Sequence, residues 1–191
     1  MTPALIVPGL NGSAEGHWQH WLTASLPQAR LVEQDDWDSP NPDVWLLRFA
    51  RTVVDVPGAV IVAHSLGCIL TAHAASRFPG LPIRAALLVA PADVDSPAHT
   101  PELLRSFSPA PTARLPFPSI VVASTDDPFM AFARAQALAG DWGSRFVNAG
   151  AAGHINITSG YGPWPTAREL FDELAASSNH GTPPEQVRRS G

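Results

Sequence analysis

The stretch Ala59-Val60-Ile61-Val62-Ala63-His64-Ser65-Leu66-Gly67-Cys68-Ile69-Leu70 constrains this chain more than any other. Its apolar run is short and unbroken, as in a strand buried on both faces, and it stops at a serine set two residues after Ala63 and two before Gly67. Small residues at those offsets let the backbone fold back on itself. Ser65 can then stand on a sharp strand-to-helix turn with its hydroxyl clear of the sheet. The next amide, Leu66 N–H, falls in the first turn of a helix, where unpaired N–H groups and the positive dipole end favour an oxyanion. Alone, the pattern fits a serine that merely caps a helix equally well, so it needs partners elsewhere in the chain.

Composition removes several other chemistries. All twelve basic residues are arginine, so Schiff-base, pyridoxal-phosphate and P-loop chemistry have no lysine to use. The single cysteine, Cys68, excludes an internal disulfide and a multi-cysteine metal site, and it reads as core packing. A net charge of -5, with only 15% charged residues, predicts a compact soluble globule without a nucleic-acid surface. Met1-Thr2-Pro3 leads directly into Ala4-Leu5-Ile6-Val7 with no basic leader, and no apolar run reaches membrane-spanning length. The expectation is a cytoplasmic protein with no membrane partner, no metal and no cofactor.

Strand and helix patterns alternate along the chain. Ala4 to Val7 reads as a first strand, and Trp18, Trp21, Leu22 and Leu26 follow at helical spacing. A second strand is expected over 30–34. Asn41-Pro42 then opens a helix with Val44, Leu47, Phe49, Ala50, Val53 and Val54 on its expected buried face. Beyond the Ser65 turn, strands are expected over 84–89, 119–124 and 145–147, with a helix over 128–139. The proline-rich segment 90–117 reads mostly as loop, with room for a short helix around Glu102 to Phe107, and a loop of that length suggests a functional cover. Thr166-Ala167-Arg168-Glu169 reads as a capping box for a last helix. These patterns predict a single α/β domain over 1–178, six parallel strands in the order 2-1-3-4-5-6, helices on both faces, and a site at the carboxyl ends of the strands. The polar segment 179–191 reads as a disordered tail.

A serine hydroxyl needs a histidine to take its proton, and the histidine needs a carboxylate to fix its tautomer. The fifth strand runs into Thr125-Asp126-Asp127-Pro128, and either carboxylate could serve. Asp127, immediately before Pro128, stands at the expected strand-helix junction, although a helix cap there is an equally ordinary role. Among seven histidines, His17 and His20 fall on the first helix and His64 lies inside the Ser65 turn. His73 is two helical turns past Ser65, His99 is in the long loop and His180 is in the tail. His154 alone follows a strand in a glycine-bounded loop. The order serine, aspartate, histidine, each after a separate strand, is that of an α/β-hydrolase.

A wider resemblance supports the same reading. Val7-Pro8-Gly9 with Gly12-Ser13, His17-Trp18-Gln19-His20-Trp21-Leu22, Gln34-Asp35-Asp36-Trp37 with Pro40 and Trp45, Ala63-His64-Ser65-Leu66-Gly67, Ser124-Thr125-Asp126-Asp127-Pro128-Phe129, and Gly153-His154-Ile155-Asn156 with Ser159-Gly160-Tyr161-Gly162-Pro163-Trp164-Pro165 succeed one another along the chain. This series resembles the small serine hydrolases related to YdeN and retinoblastoma-binding protein 9, over about residues 3 to 176. The resemblance implies a minimal α/β-hydrolase without a large cap domain. It also implies Ser65 as nucleophile, Asp127 as acid in preference to Asp126, and His154 as base.

The expected chemistry is acyl transfer to water from a small ester, thioester or amide, with the Leu66 and Leu10 amides holding the oxyanion. Leu10 enters because the loop after the first strand is the usual second donor. Most of the six tryptophans read as core, and Trp164 and Asn11 are the expected pocket residues. The competing expectation is a binding protein on the same fold, since fold does not fix function. Nothing in the sequence points to a particular protein partner.

Overall fold

The computed structural model describes residues 1–177, so the tail expected over 179–191 lies outside the described residues. Six parallel strands, β1 (Ala4–Val7), β2 (Ala29–Leu31), β3 (Ala59–His64), β4 (Ile83–Val89), β5 (Ser119–Ala123) and β6 (Arg145–Asn148), form one sheet in the order β2-β1-β3-β4-β5-β6. The period-two alternation of side chains divides the core. Leu5, Val7, Ile61, Ala63, Ala86 and Leu88 face one cluster, and Ala4, Ile6, Val60, Val62, Ala85 and Leu87 face the other. Helices α2 (Pro42–Asp55), α3 (Leu66–Arg77) and α4 (Phe132–Trp142) cover the first face, and α1 (Trp18–Ser25) and α5 (Pro165–Ala176) cover the second. Both faces of β1 and β3 are therefore dry, which is why their sequences read as unbroken apolar runs.

The chain leaves β1 toward β2 on one side and reaches β3 on the other. That reversal opens a crevice at the carboxyl ends of β1 and β3, where ligands of open α/β sheets bind. The longest connection, 90–118, adds only a 3-10 helix at Glu102–Phe107, so no cap domain is inserted. It is an ordered wall and not a loose cover. Arg105 donates to the carbonyls of Val94, Ser96 and Thr100 and to the Thr100 hydroxyl, and Asp95 accepts from Ser108, Ala110 and Arg134.

Four local expectations are corrected. Helix α2 buries Trp45, Leu46, Phe49 and Val53, while Val44, Leu47 and Val54 are 40%, 52% and 61% exposed. The apolar sector of this helix is wider than the stripe it can bury, and the part carrying the largest volume goes inward, with the Trp45 indole N–H donating to Asp36 O at 3.1 Å. Helix α4 starts at Phe132, not at Pro128, because Phe129 is held in a turn: its N–H donates to Asp127 Oδ1 and its carbonyl accepts from Asp93 N–H. Helix α5 starts at Pro165, whose fixed φ suits a first helical position, so Thr166 sits inside the helix and forms no capping box. Strand β2 ends at Leu31, short of Gln34.

Candidate active site

The turn after β3 explains why position 67 is glycine. Ser65 has φ 55° and ψ −122°, a conformation that an L-residue holds only under constraint, and α3 begins at the next residue. A Cβ on Gly67 would lie 2.3 Å from Val7 O and 2.7 Å from Pro8 O, so only glycine lets α3 approach the end of β1. Gly9 makes the reciprocal approach, since a Cβ there would lie 2.8 Å from Ser65 Cβ and 2.9 Å from Leu66 N. The loop after β1 is thereby laid against the serine turn. The amides of Leu10 and Leu66 find no acceptor among the described residues. Both remain available to an oxygen of a ligand.

The remaining groups arrive from the ends of β5 and β6. Ser65 Oγ lies 3.0 Å from His154 Nε2, and His154 Nδ1 lies 2.9 Å from both Asp127 oxygens. A carboxylate can only accept, so Nδ1–H donates to Asp127 and Nε2 is left bare to accept the serine proton. The Asp127 and His154 side chains are 3% and 8% exposed, which keeps this chain of hydrogen bonds out of water. The edge of the His154 ring packs against Phe129, with ring centres 4.6 Å apart.

Asp126, the other carboxylate of the pair, has a separate task. It accepts from the Gly153 amide at 2.7 Å and from the Ser124 hydroxyl at 2.6 Å, while Ser124 Oγ accepts from Ala152 N–H. These hydrogen bonds hold the Asp126 carboxyl below the usual carboxylate range. The residue immediately before the histidine is thus tied to the residue immediately before its carboxylate partner. Beyond the histidine, Ser159 Oγ accepts from His154 N–H and donates to Asn156 Oδ1. A Cβ on Gly153 would lie 2.4 Å from that hydroxyl, and Gly153 has φ +54°, so glycine is required there twice over.

These groups open onto a cleft of ≈ 190 Å³ lined by Leu10, Asn11, Gly12, His17, His64, Ser65, Ala92, Thr100, Leu104, Phe129, His154 and Asn156. Asn11 lies where the sequence analysis expects it. Trp164 does not line the cleft: its ring packs edge-on against Trp18 and Tyr161, and Trp18 stands between it and the cleft residue His64. Local sequence gives no sign that His17, His64 and Phe129 form walls of the cleft. His17, expected on the first helix, is the N-cap of α1. Its ring packs edge to face on His64 with ring centres 4.9 Å apart, and the His64 ring lies 4.8 Å from that of His154. Burial first, and the neighbouring histidines after it, push His17 down to about 4 and hold His64 well below its ordinary value. Both rings are neutral near pH 7.

A larger groove of ≈ 470 Å³, between α2 and the turn before β4, is lined by Leu47, Val54, Phe78 and Leu81 and holds no nucleophile. The described residues contain no cluster of side chains fit to hold a metal ion, and no helix among them is long and apolar enough to cross a membrane.

Comparison with known proteins agrees with this architecture. The family model described as serine hydrolase matches residues 4–173. A YdeN-like hydrolase from Pectobacterium atrosepticum is 30% identical, with 91% of each chain covered and a TM-score of 0.78. The ydeN product of B. subtilis is 20% identical over 91% of this chain and 98% of its own, with a TM-score of 0.76. Est1E from Butyrivibrio proteoclasticus shares the fold at 15% identity and a TM-score of 0.68, over 92% of this chain and 89% of its own. No curated protein sequence matches.

Proposed function

The chain belongs to the serine hydrolase family, and from that premise we propose that it hydrolyses small esters through an acyl-enzyme on Ser65. The observation that carries the reading is the hydrogen-bonded series Ser65 Oγ, His154 Nε2, His154 Nδ1, Asp127, with steps of 3.0 and 2.9 Å. His154 takes the hydroxyl proton as Ser65 Oγ attacks the ester carbonyl, and the tetrahedral oxyanion is held by the Leu66 and Leu10 amides. His154 then gives that proton to the departing alkoxide, leaving the acyl group on Ser65. Water, deprotonated by His154, attacks the acyl-enzyme, and Ser65 recovers its proton as the acid leaves. Asp127 stays ionised throughout, fixing the imidazole tautomer and stabilising its cation. A cleft of ≈ 190 Å³ with no cap domain above it favours short acyl chains.

A fluorophosphonate probe with peptide mapping tests the reading. The expected result is a stoichiometric adduct on Ser65, absent in Ser65→Ala and strongly slowed in His154→Ala. A folded wild type that forms no adduct and turns over no ester would refute it and favour a binding protein on a hydrolase fold.

A further inference from the structure

Two polar atoms in the cleft have no partner and no place in the mechanism. His17 Nδ1 accepts the Gln19 amide at 3.2 Å as the cap of α1, so the ring proton belongs on Nε2. His64 Nε2 lies 2.9 Å from the His154 carbonyl, which can only accept, so His64 carries its proton there and leaves Nδ1 bare. The two residues are only 5% and 6% exposed. His17 Nε2–H and His64 Nδ1 nevertheless find no hydrogen-bond partner among the described residues, and neither atom is sealed from solvent. Their rings pack edge to face at 4.9 Å in the wall of the cleft that holds Ser65. The wall therefore offers one donor and one acceptor, carried by two rings in contact.

A group that matches both must accept one hydrogen bond and donate another. A carboxylate, ketone or ether satisfies the first atom only, an ammonium only the second, and a methylene neither. We propose that His17 and His64 form a hydroxyl subsite, and that the substrates of this enzyme are small esters bearing a hydroxyl group near the scissile bond. The inference rests on the Ser65 hydrolase reading above. Both rings are rigidly placed, His17 by its cap and His64 by the carbonyl of the residue that supplies the base, so the subsite is ordered before substrate arrives. Neither histidine exchanges a proton with the reacting atoms. Their role is to position the substrate and select it.

The hydroxyl could lie on the acyl or the alcohol side, and matched pairs separate the two. kcat/KM is measured for p-nitrophenyl 3-hydroxybutyrate against p-nitrophenyl butyrate, and for 2-hydroxyethyl acetate against propyl acetate. One pair should favour the hydroxylated ester by about tenfold or more, as two extra hydrogen bonds to largely buried side chains imply. His17→Asn keeps a side chain able to cap α1 but cannot present an imidazole N–H. It should reduce that preference, read as the ratio of kcat/KM within the pair, to about threefold or less. A circular dichroism melt confirms that the variant is folded, and Asp55→Ala, at the end of α2 that leads into β3 and outside the cleft, is the control that should leave the ratio unchanged. Ratios near one in both pairs, or a ratio that survives His17→Asn, overturn the subsite while leaving ester hydrolysis intact. If no ester is turned over and Ser65 takes no fluorophosphonate, the hydrolase reading fails and the subsite fails with it.

Discussion

Acid should destabilise this protein well above the range in which carboxylates titrate, and His17 should supply a measurable share of the loss. Its imidazole is pushed down to about 4 by burial and by its histidine neighbours, against 6.5 for a free side chain. Below pH 6.5 the unfolded chain binds a proton there and the folded chain does not, so stability falls with falling pH until about pH 4. The slope is about 1.4 kcal/mol per pH unit for each such proton. Between pH 7 and pH 5 the part due to His17 comes to about 2 kcal/mol, because the unfolded residue is only about a quarter protonated at the start. His64 is held low for the same reason and adds to the loss with the same sign.

Urea melts at pH 7 and pH 5 on wild type and His17→Asn provide the assay. At an m-value of about 2 kcal/mol/M, the wild-type midpoint should drop between the two pH values by about 1 M more than that of the variant. Comparing pH differences cancels any uniform effect of the substitution on stability. The carboxyls of Asp95 and Asp126 are both held low, so their contributions are lost only at still lower pH. Equal pH dependence in the two proteins would refute the argument, as would a wild-type midpoint that does not move between pH 7 and pH 5.

Further outcomes follow from the same geometry. Asp127→Asn should lower kcat by about 10⁴-fold with little change in KM, since an amide favours the wrong imidazole tautomer; a loss below tenfold would remove Asp127 from the site. Asp126→Ala should lower kcat by about 10- to 100-fold through displacement of the His154 loop, and an unchanged kcat would show that Gly153 needs no anchor. Gly67→Ala should cost about 3 kcal/mol or more in urea melts, because the new methyl meets backbone oxygens at 2.3 and 2.7 Å that cannot move independently of β1. Arg105→Met should leave the carbonyls of Val94 and Thr100 without their donor, lowering stability by about 2 kcal/mol. It should also raise KM more than it lowers kcat, since Thr100 and Leu104 are cleft walls.

The parts of the fold legible in the sequence were those where one physical demand dominates. A strand buried on both faces must be apolar at every position, so Ala4 to Val7 and Ala59 to Ala63 announced themselves. A backbone that turns sharply beneath a helix must have small residues at fixed offsets, so Ser65 did too. Where two demands competed, the sequence was ambiguous. The apolar sector of helix α2 is wider than the stripe it buries, and only the volume beneath the sheet decides that Trp45 and Leu46 go in while Leu47 and Val54 stay out. Trp164 was expected near the site for its proximity in sequence to His154, but Trp18 and Tyr161 supply the edge-on contacts that draw its ring away. His17 and His64 are 47 positions apart and touch only because the loop after β1 lies on the Ser65 turn. No local pattern encodes that contact, although both residues fall within the motifs that carry the family resemblance.

Asp126 and Asp127 show most directly why the last step from sequence to site requires coordinates. Both residues lie in the turn that follows β5, where the backbone carries two identical side chains one position apart into different surroundings. Asp127 meets the His154 ring, and Asp126 meets the Gly153 amide one residue upstream of that ring. The consecutive carboxylates thus hold two consecutive residues of the opposing loop, one through its backbone and one through its side chain. Exchanging their roles would break the turn, which is tied to the opposing loop by Thr125 N–H donating to Gly150 O and by Ala152 N–H donating to Ser124 Oγ. These cross-loop hydrogen bonds therefore decide which aspartate faces the imidazole, and no pattern local to Asp126-Asp127 encodes them.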